Sequence, residues 1–222
     1  MNQYQSKSFF DRISITNLLI GANVILFIII YLLSLYNPNT INYIALSPKN
    51  VVENYYIWTL LTSMFMHSGL AHLFVNMLSL AFIGNFVEKI IGRKRFFGIY
   101  IAAGIFSGIL FILFSMFGQS TLLGTGYDAA AVGASGALFG IAGLMMILTP
   151  NLPVYVMFIP IPIKSKYAIP GLLLLIALIS VLSGWPIGNT AHLGGLIAGI
   201  IYGVYLRNKY KRKARAISMY FK

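Results

Sequence analysis

Long apolar segments are the feature that most constrains the fold of this chain. Six of them can be delimited, and they approach the length of roughly 20 residues that a helix needs to cross a bilayer. Hydrophobic residues make up 59% of the sequence and charged residues only 9%, against about a quarter in a soluble domain. This composition predicts an all-α membrane protein, built as a bundle of six transmembrane helices. The predicted spans are Ile13–Leu35, Leu70–Ile91, Phe96–Phe117, Ala131–Thr149, Ala168–Ser183 and Asn189–Leu206.

The positive charges are distributed as membrane topology requires. Seven of the sixteen Lys and Arg residues lie between Arg207 and Lys222, and three more form the run Arg93–Arg95. The loops on the opposite side contain Lys49 as their only positive residue. Because Lys and Arg accumulate in cytoplasmic loops, both termini are predicted to be cytoplasmic. The net charge of +12 is therefore interpreted as topology and not as a nucleic-acid surface.

The chain is divided into a cytoplasmic N-terminal segment 1–12, a six-span domain 13–206 and a basic cytoplasmic tail 207–222. Within the domain, the connection at about 37–69 carries several tyrosines and Trp58. These residues suit a membrane interface, so a partly embedded loop with short amphipathic helices is predicted. No cysteine is present, which excludes disulfides and thiolate metal sites.

Four polar residues are predicted to lie in one layer of the membrane. With cytoplasmic termini, the second, fourth and sixth spans run inward from the outer side. The early positions of these spans hold His72 and Asn76, then Ser135, then His192. At about 1.5 Å per residue, all four residues fall in the outer leaflet at similar depth. A common depth does not prove contact.

Ser135 and His192 are the candidate nucleophile and general base. A lone serine in a membrane helix usually bonds a carbonyl of its own helix, which is the interpretation given to Ser107. Ser135 differs because glycines and alanines surround it, and such residues let helices approach closely. An ionisable residue within a span is a functional candidate by default, and His192 is followed by the small residues Gly195 and Gly199. The alternative for Ser135 is that its small neighbours serve only helix packing. The alternative for His192 is a buried histidine that is hydrogen-bonded to a carbonyl.

His72 and Asn76 are candidate donors to an oxyanion. They are four residues apart and share one helix face, and both carry N–H groups that can stabilise a tetrahedral intermediate. The backbone N–H of Ser135 can add a third donor at the positive end of its helix. The alternative is an interhelical polar clamp. His67 is predicted to have a structural or water-facing role, because its five-residue spacing from His72 does not place both on one face.

No acidic residue of the chain is predicted to lie where it could complete a Ser–His–Asp triad. The four acidic residues of the chain are assigned to the cytoplasmic side (Asp11 and Glu88) or to loops (Glu53 and Asp128). A Ser–His dyad is therefore predicted. Its histidine would be oriented by packing against Phe139, one helical turn after the serine.

The sequence resembles the rhomboid family of intramembrane serine proteases in four motifs, which cover nearly the whole chain beyond the first span. His72–Asn76 looks like the family's H-x-x-x-N, and Gly84–Gly92 looks like its G-x-x-x-E-x-x-x-G. Gly133–Gly136 looks like G-x-S-G, and Ala191–Gly199 looks like A-H-x-x-G-x-x-x-G. Each motif alone is weak, whereas all four in order are specific.

The resemblance implies a role for each residue of these motifs. Ser135 would be the nucleophile, His192 the general base, and His72, Asn76 and the Ser135 amide the oxyanion site. Gly133 and Phe139 would support the dyad. Structural contacts would be made by Glu88, Gly195 and Gly199. The fifth span and Trp185 would gate the lateral entry of substrate. Two departures are visible: Thr59 follows Trp58 where the family often has arginine, and Phe139 stands where some relatives have tyrosine.

The implied activity is that of a serine endopeptidase that cleaves transmembrane segments near the outer leaflet through an acyl-enzyme, with no metal and no organic cofactor. Its partners would be transmembrane substrates entering from the lipid and membrane lipids, with no nucleic acid and an undetermined oligomeric state. A prokaryotic plasma membrane is the expected location. The alternatives are a catalytically inactive rhomboid-like binding or quality-control protein, a channel or transporter, and a zinc protease, for which the His-Glu-x-x-His motif is missing.

Overall fold

The computed structural model describes residues 13–117, 126–156, 159–184 and 188–221. The predictions for segment 1–12 and for Trp185 lie outside these residues. The described chain is mostly helical, with a 3₁₀ turn at Ser63–Phe65, a π-helical segment at Leu80–Gly84 and an antiparallel pair of short strands, β1 Pro153–Val154 and β2 Ile163–Lys164. Its α-helices are α1 Ile15–Tyr36, α2 Thr40–Ile44, α3 Pro48–Val52, α4 Thr59–Thr62, α5 Leu70–Ser79, α6 Asn85–Ile91, α7 Arg93–Phe117, α8 Ser135–Leu148, α9 Ser165–Ser183, α10 Asn189–Lys209 and α11 Lys211–Tyr220.

Within the described ranges, 4 helical segments are long and apolar enough to cross a membrane: α1, the continuous helix Leu70–Ile91, α7 and α9. Helix α8 is apolar but has only 14 residues, or about 21 Å at 1.5 Å per residue, which is less than the hydrocarbon thickness of about 30 Å. Helix α10 is long enough but begins with polar residues and ends with Arg207 and Lys209. The fold is thus a helical membrane bundle, and the count of six spans stays a prediction.

The short helix α8 lies at the centre of the bundle. All of its residues from Gly136 to Met145 are buried. Helix α10 packs directly on its backbone, since a Cβ added at Gly195 would overlap the Gly136 carbonyl oxygen and one added at Gly199 would overlap the Gly140 carbonyl oxygen. The glycine face of α10 therefore sets the distance between the two helices that carry the candidate dyad.

Helix α8 begins at Ser135, so the predicted start of this span at Ala131 is wrong. Gly133 has a φ of 118°, a conformation that favours glycine. Because this conformation is not helical, α8 cannot extend towards the N-terminus through Gly133. Ala131 instead exchanges two backbone hydrogen bonds with Leu46, of 2.7 and 3.1 Å. As a result, Ser135 is the first helical residue, and the strand-like segment before it is paired with the connection between the first two long helices.

The connection at 37–69 contains three short helices, α2, α3 and α4, with aromatic residues packed between them. The Trp58 indole N–H donates to the Tyr43 carbonyl at 2.9 Å, and the Tyr56 and Trp58 rings are stacked 4.7 Å apart. Thr59 is fully buried, and its hydroxyl donates to the Tyr56 carbonyl at 2.6 Å. The residue that replaces the family's arginine thus makes a local contact of its own within this loop.

Glu88 joins the C-terminal end of the second long helix to the start of α1. Its carboxylate accepts hydrogen bonds from the backbone N–H groups of Ile15 and Thr16, both at 2.8 Å, and from the Thr16 hydroxyl at 2.7 Å. A carboxylate at a helix N-terminus is favoured because it satisfies unpaired N–H groups and opposes the helix dipole. The buried carboxylate of Glu88 therefore stabilises the position of α1.

Candidate active site

Ser135 and His192 lie in direct contact. The distance between Ser135 Oγ and His192 Nε2 is 2.8 Å, which is hydrogen-bond length for a hydroxyl and an imidazole. The serine is partly exposed at the start of α8, and the histidine is buried near the start of α10. The glycine-mediated approach of these two helices is what permits the contact.

The His192 ring packs against an aromatic ring of α8. The centroids of Phe139 and His192 are 4.8 Å apart and the ring planes are inclined by 33°. Among the described residues, the second ring nitrogen of His192, Nδ1, is buried without a hydrogen-bond partner. Glu88 bonds the N-terminus of α1, and Asp128 pairs with Lys49 at 3.3 Å. Packing, not a carboxylate, therefore holds the imidazole in the described part of the chain.

His72 and Asn76 face the backbone just before the serine. A Cβ added at Gly133 would lie 2.9 Å from His72 Nε2 and 3.6 Å from Asn76 Nδ2. Asn76 Nδ2 is buried and has no hydrogen-bond partner within the described chain. These two donors thus point towards a position next to the nucleophile that is kept free because Gly133 lacks a side chain.

Ser68 orients the His72 ring, and the sequence analysis did not single it out. Its Oγ lies 3.0 Å from His72 Nδ1. When the Ser68 hydroxyl donates to Nδ1, the ring proton of a neutral His72 must reside on Nε2, the nitrogen that faces Gly133. The i, i+4 spacing of the two residues could have indicated the contact, but Ser68 precedes helix α5 and so lay outside the predicted span.

Ser107 is a second residue whose position was misjudged. Its hydroxyl donates to the Ala191 carbonyl on α10 at 2.7 Å, so the prediction that it bonds its own helix is wrong. Gly136 makes room for this contact, since a Cβ there would overlap Ser107 Oγ. Ser107 therefore links α7 to the peptide immediately before His192, and only the packing of three helices reveals it.

His67 is buried, so of its two predicted roles the water-facing one is wrong and the structural one agrees with its position. It is 5% exposed, and its ring lies 5.2 Å from the His72 ring and 6.5 Å from the Phe27 ring. Since α5 begins only at Leu70, helical spacing does not apply between the two histidines. Burial, with a smaller effect of the neighbouring His72, lowers the pKa of His67 from its ordinary 6.5 to about 4.

The arrangement has the parts needed for nucleophilic acyl transfer. A hydroxyl contacts an imidazole nitrogen that can accept its proton, and two side-chain N–H donors point to one side of the same site. Across the four described ranges, no group of three or more His, Asp or Glu side chains is placed to hold a metal ion. The contact between the Ser135 hydroxyl and the His192 imidazole is the feature that suits serine-hydrolase chemistry.

Comparison with known proteins assigns the chain to a family. The Rhomboid domain matches residues 54–209, a range that contains the candidate site and helices α4 to α10. This chain belongs to the rhomboid family.

Curated relatives agree with this assignment. The chain is 35% identical over 162 residues to RHOMBOID-like protein 1 of Arabidopsis thaliana, covering 72% of this chain and 37% of the relative. It is 34% identical over 146 residues to Rhomboid protease GluP of Bacillus subtilis, covering 64% of this chain and 24% of the relative. It is also 32% identical over 157 residues to Inactive RHOMBOID-like protein 8 of Arabidopsis thaliana, covering 69% of this chain and 39% of the relative.

The chain thus spans well under half the length of these three relatives. The family and the apolar helices together identify an integral membrane protein. Because the relatives include both a protease and an inactive protein, membership alone does not decide activity. Most of the relatives are plant or mitochondrial proteins. The relatives therefore do not support the expected prokaryotic origin of this chain.

Proposed function

We propose that this protein is an intramembrane serine endopeptidase that uses Ser135 as nucleophile and His192 as general base. The observation that carries the proposal is the 2.8 Å contact between Ser135 Oγ and His192 Nε2. The imidazole takes the hydroxyl proton as Oγ attacks the scissile carbonyl, and then returns it to the leaving amine. The resulting acyl-enzyme is hydrolysed by water, with His192 again acting as base.

The proposed oxyanion site consists of His72, Asn76 and the backbone N–H of Ser135. In its support, the Asn76 amide nitrogen is buried without a partner among the described residues, which leaves its N–H groups free to donate to the developing negative charge. Gly133 supports the site because a Cβ would lie 2.8 Å from His72 Cε1 and would fill the space between donor and nucleophile.

The proposed topology has six spans with both termini in the cytoplasm. The short α8 would then begin below the outer surface, which places Ser135 at the depth where substrates are cleaved. Transmembrane segments of other proteins would enter from the lipid and unwind near their outer ends. A prokaryotic plasma membrane is the location that we propose, and the plant and mitochondrial relatives lend that part no support.

The test is cleavage of a single-span model substrate by the purified protein in lipid. Ser135→Ala should lower turnover by at least about 10⁴-fold, the scale found when a nucleophilic serine is removed. Ser34→Ala is the matched control, because Ser34 is a partly exposed serine of α1 that donates to the Tyr31 carbonyl and should leave turnover unchanged. Unchanged cleavage by Ser135→Ala would remove this residue from the mechanism.

The second candidate is an inactive rhomboid-like binding or quality-control protein. It is kept because one relative is named as inactive. A serine-reactive phosphonate separates the two candidates without a natural substrate, since only a nucleophile activated by its base is labelled at a useful rate. If the wild type neither cleaves the model substrate nor is labelled at Ser135, the binding-protein function is favoured.

A further inference from the structure

The C-terminal helix α11 is amphipathic and is held against the end of the bundle. Its positive residues Lys211 and Arg215 are four apart and share a face, while Ala214, Ile217 and Tyr220 follow at intervals of three along another face. Such a helix, with Lys and Arg on one side and apolar residues on the other, lies in the interfacial plane of a membrane.

Contacts at both ends of α11 fix its position. At its start, the Arg95 guanidinium donates to the Tyr210 hydroxyl at 2.8 Å and lies 5.0 Å from the Tyr210 ring centroid. At its end, the Phe221 ring meets the Phe86 ring with centroids 6.2 Å apart. Ala214, between them, is buried. Helix α11 is therefore packed against the other helices of the bundle.

An apolar groove lies between this helix and the inner end of Leu70–Ile91, a segment long and apolar enough to cross the membrane. The volume of this open groove is about 350 Å³. The groove is lined by Phe86, Ile90, Ala216, Ile217, Tyr220 and Phe221. Because the groove continues the surface of a membrane-spanning helix, the acyl chains of the surrounding lipid can reach it.

The positive charges beside the groove indicate which lipid headgroup would bind there. Lys211, Arg212, Lys213 and Arg215 are all exposed, and the ion pair found among the described residues is the distant one between Lys49 and Asp128. Four to eight Lys or Arg residues directly after a membrane-spanning helix attract anionic lipids. A zwitterionic lipid would not neutralise this face, whereas a phospholipid with net negative charge would.

We infer that α11 and the inner end of the second long helix form a binding site for an anionic phospholipid. The phosphate lies against the basic face of α11 and an acyl chain occupies the apolar groove. Proteolysis is not required for this binding, so the inference rests on the proposed topology of the chain and not on the proposed proteolytic activity.

The test uses the full chain in phosphatidylcholine vesicles with a minor fraction of phosphatidylglycerol. Trp58→Phe and Trp185→Phe remove the 2 native tryptophans, and Tyr220→Trp then introduces an indole into the groove. Acyl chains brominated on either lipid quench the fluorescence of a nearby indole. Brominated phosphatidylglycerol should quench several-fold more effectively than brominated phosphatidylcholine at the same mole fraction.

Charge variants in this background decide whether α11 is responsible. Lys211→Gln, Arg212→Gln and Arg215→Gln together should abolish the preference, since each positive residue near the surface contributes up to about fivefold. The matched control removes three charges elsewhere, with Lys94→Gln, Lys164→Gln and Lys166→Gln, and should retain the preference. Equal quenching by both lipids in the parent, or an equal loss in the control, would overturn the inference.

A last comparison separates lipid from soluble phosphate. Sodium phosphate and sodium chloride at equal ionic strength should weaken the preference equally, because screening depends on ionic strength. Selective displacement by phosphate would identify a soluble-anion site and refute the lipid site.

Discussion

Replacing Gly195 by alanine tests whether the separation of α8 and α10 controls the dyad. A Cβ at this position would overlap the Gly136 carbonyl oxygen and would lie 2.8 Å from the carbonyl carbon. Ordinary van der Waals contact begins at 3.4 Å, so the two backbones must separate by at least about 0.6 Å. Gly136 directly follows Ser135, and Gly195 is three residues after His192, so this displacement acts on the dyad itself.

The magnitude follows from the hydrogen bond between the two catalytic candidates. Their present distance is 2.8 Å, and a displacement of this size takes it beyond the usual range for a hydroxyl donor, about 2.5–3.0 Å. Loss of a positioned general base lowers turnover by about 10²–10⁴-fold, whereas overpacking costs about 1–3 kcal/mol of stability. The variant should therefore remain folded and lose at least about 99% of its turnover.

The assay is cleavage of the single-span substrate, together with phosphonate labelling of Ser135 and thermal unfolding in detergent. Gly98→Ala is the matched control, because nothing lies within 4 Å of a Cβ at that position and alanine favours the helix. If Gly195→Ala cleaves and is labelled like the wild type, close packing of α10 on α8 does not set the dyad geometry and the reasoning fails.

Three further predictions concern residues outside the candidate dyad. Ser107→Ala removes the bond to the Ala191 carbonyl and should lower kcat by up to about tenfold with KM unchanged in steady-state kinetics; a change confined to KM would contradict a positioning role. Glu88→Gln weakens the cap on α1 and should lower the free energy of unfolding by about 1.5–3 kcal/mol, measured by denaturant titration, while labelling of the nucleophile persists. The folded-state pKa of His67, about 4, lies below its ordinary 6.5, so its contribution to stability is complete above pH 6.5 and is lost as the pH falls towards 4. His67→Asn should flatten that part of a plot of unfolding free energy against pH, and an unchanged slope would assign the effect to other groups.

Much of the candidate site follows from local sequence pattern. Ser135 stands out because glycine and alanine surround it, and His192 because an ionisable side chain is costly inside an apolar helix. The four-residue spacing of His72 and Asn76 places both on one face wherever the helix begins. None of these patterns depends on knowing which helices are neighbours.

Other contacts depend on tertiary packing and leave no local signal. Ser107 has the same local sequence character as many membrane-helix serines, and its bond to Ala191 exists only because α7 crosses α10 at that level. His67 lies in the non-helical residues 66–69, and its burial depends on tertiary packing near Phe27 of α1. The start of α8 at Ser135 similarly depends on pairing between Ala131 and Leu46, which are far apart in sequence.

The sequence alone therefore determined that the chain is a helical membrane protein, where its long apolar helices lie and which polar residues are candidates for chemistry. These properties arise from the cost of placing polar groups in lipid and from helical periodicity, which act within one segment. Only the tertiary structure decided that Ser135 Oγ meets His192 Nε2 and that Gly195 sits on the Gly136 carbonyl. Such distances are set by how separate helices pack against one another, and a difference of less than 1 Å in that packing separates a hydrogen bond from none.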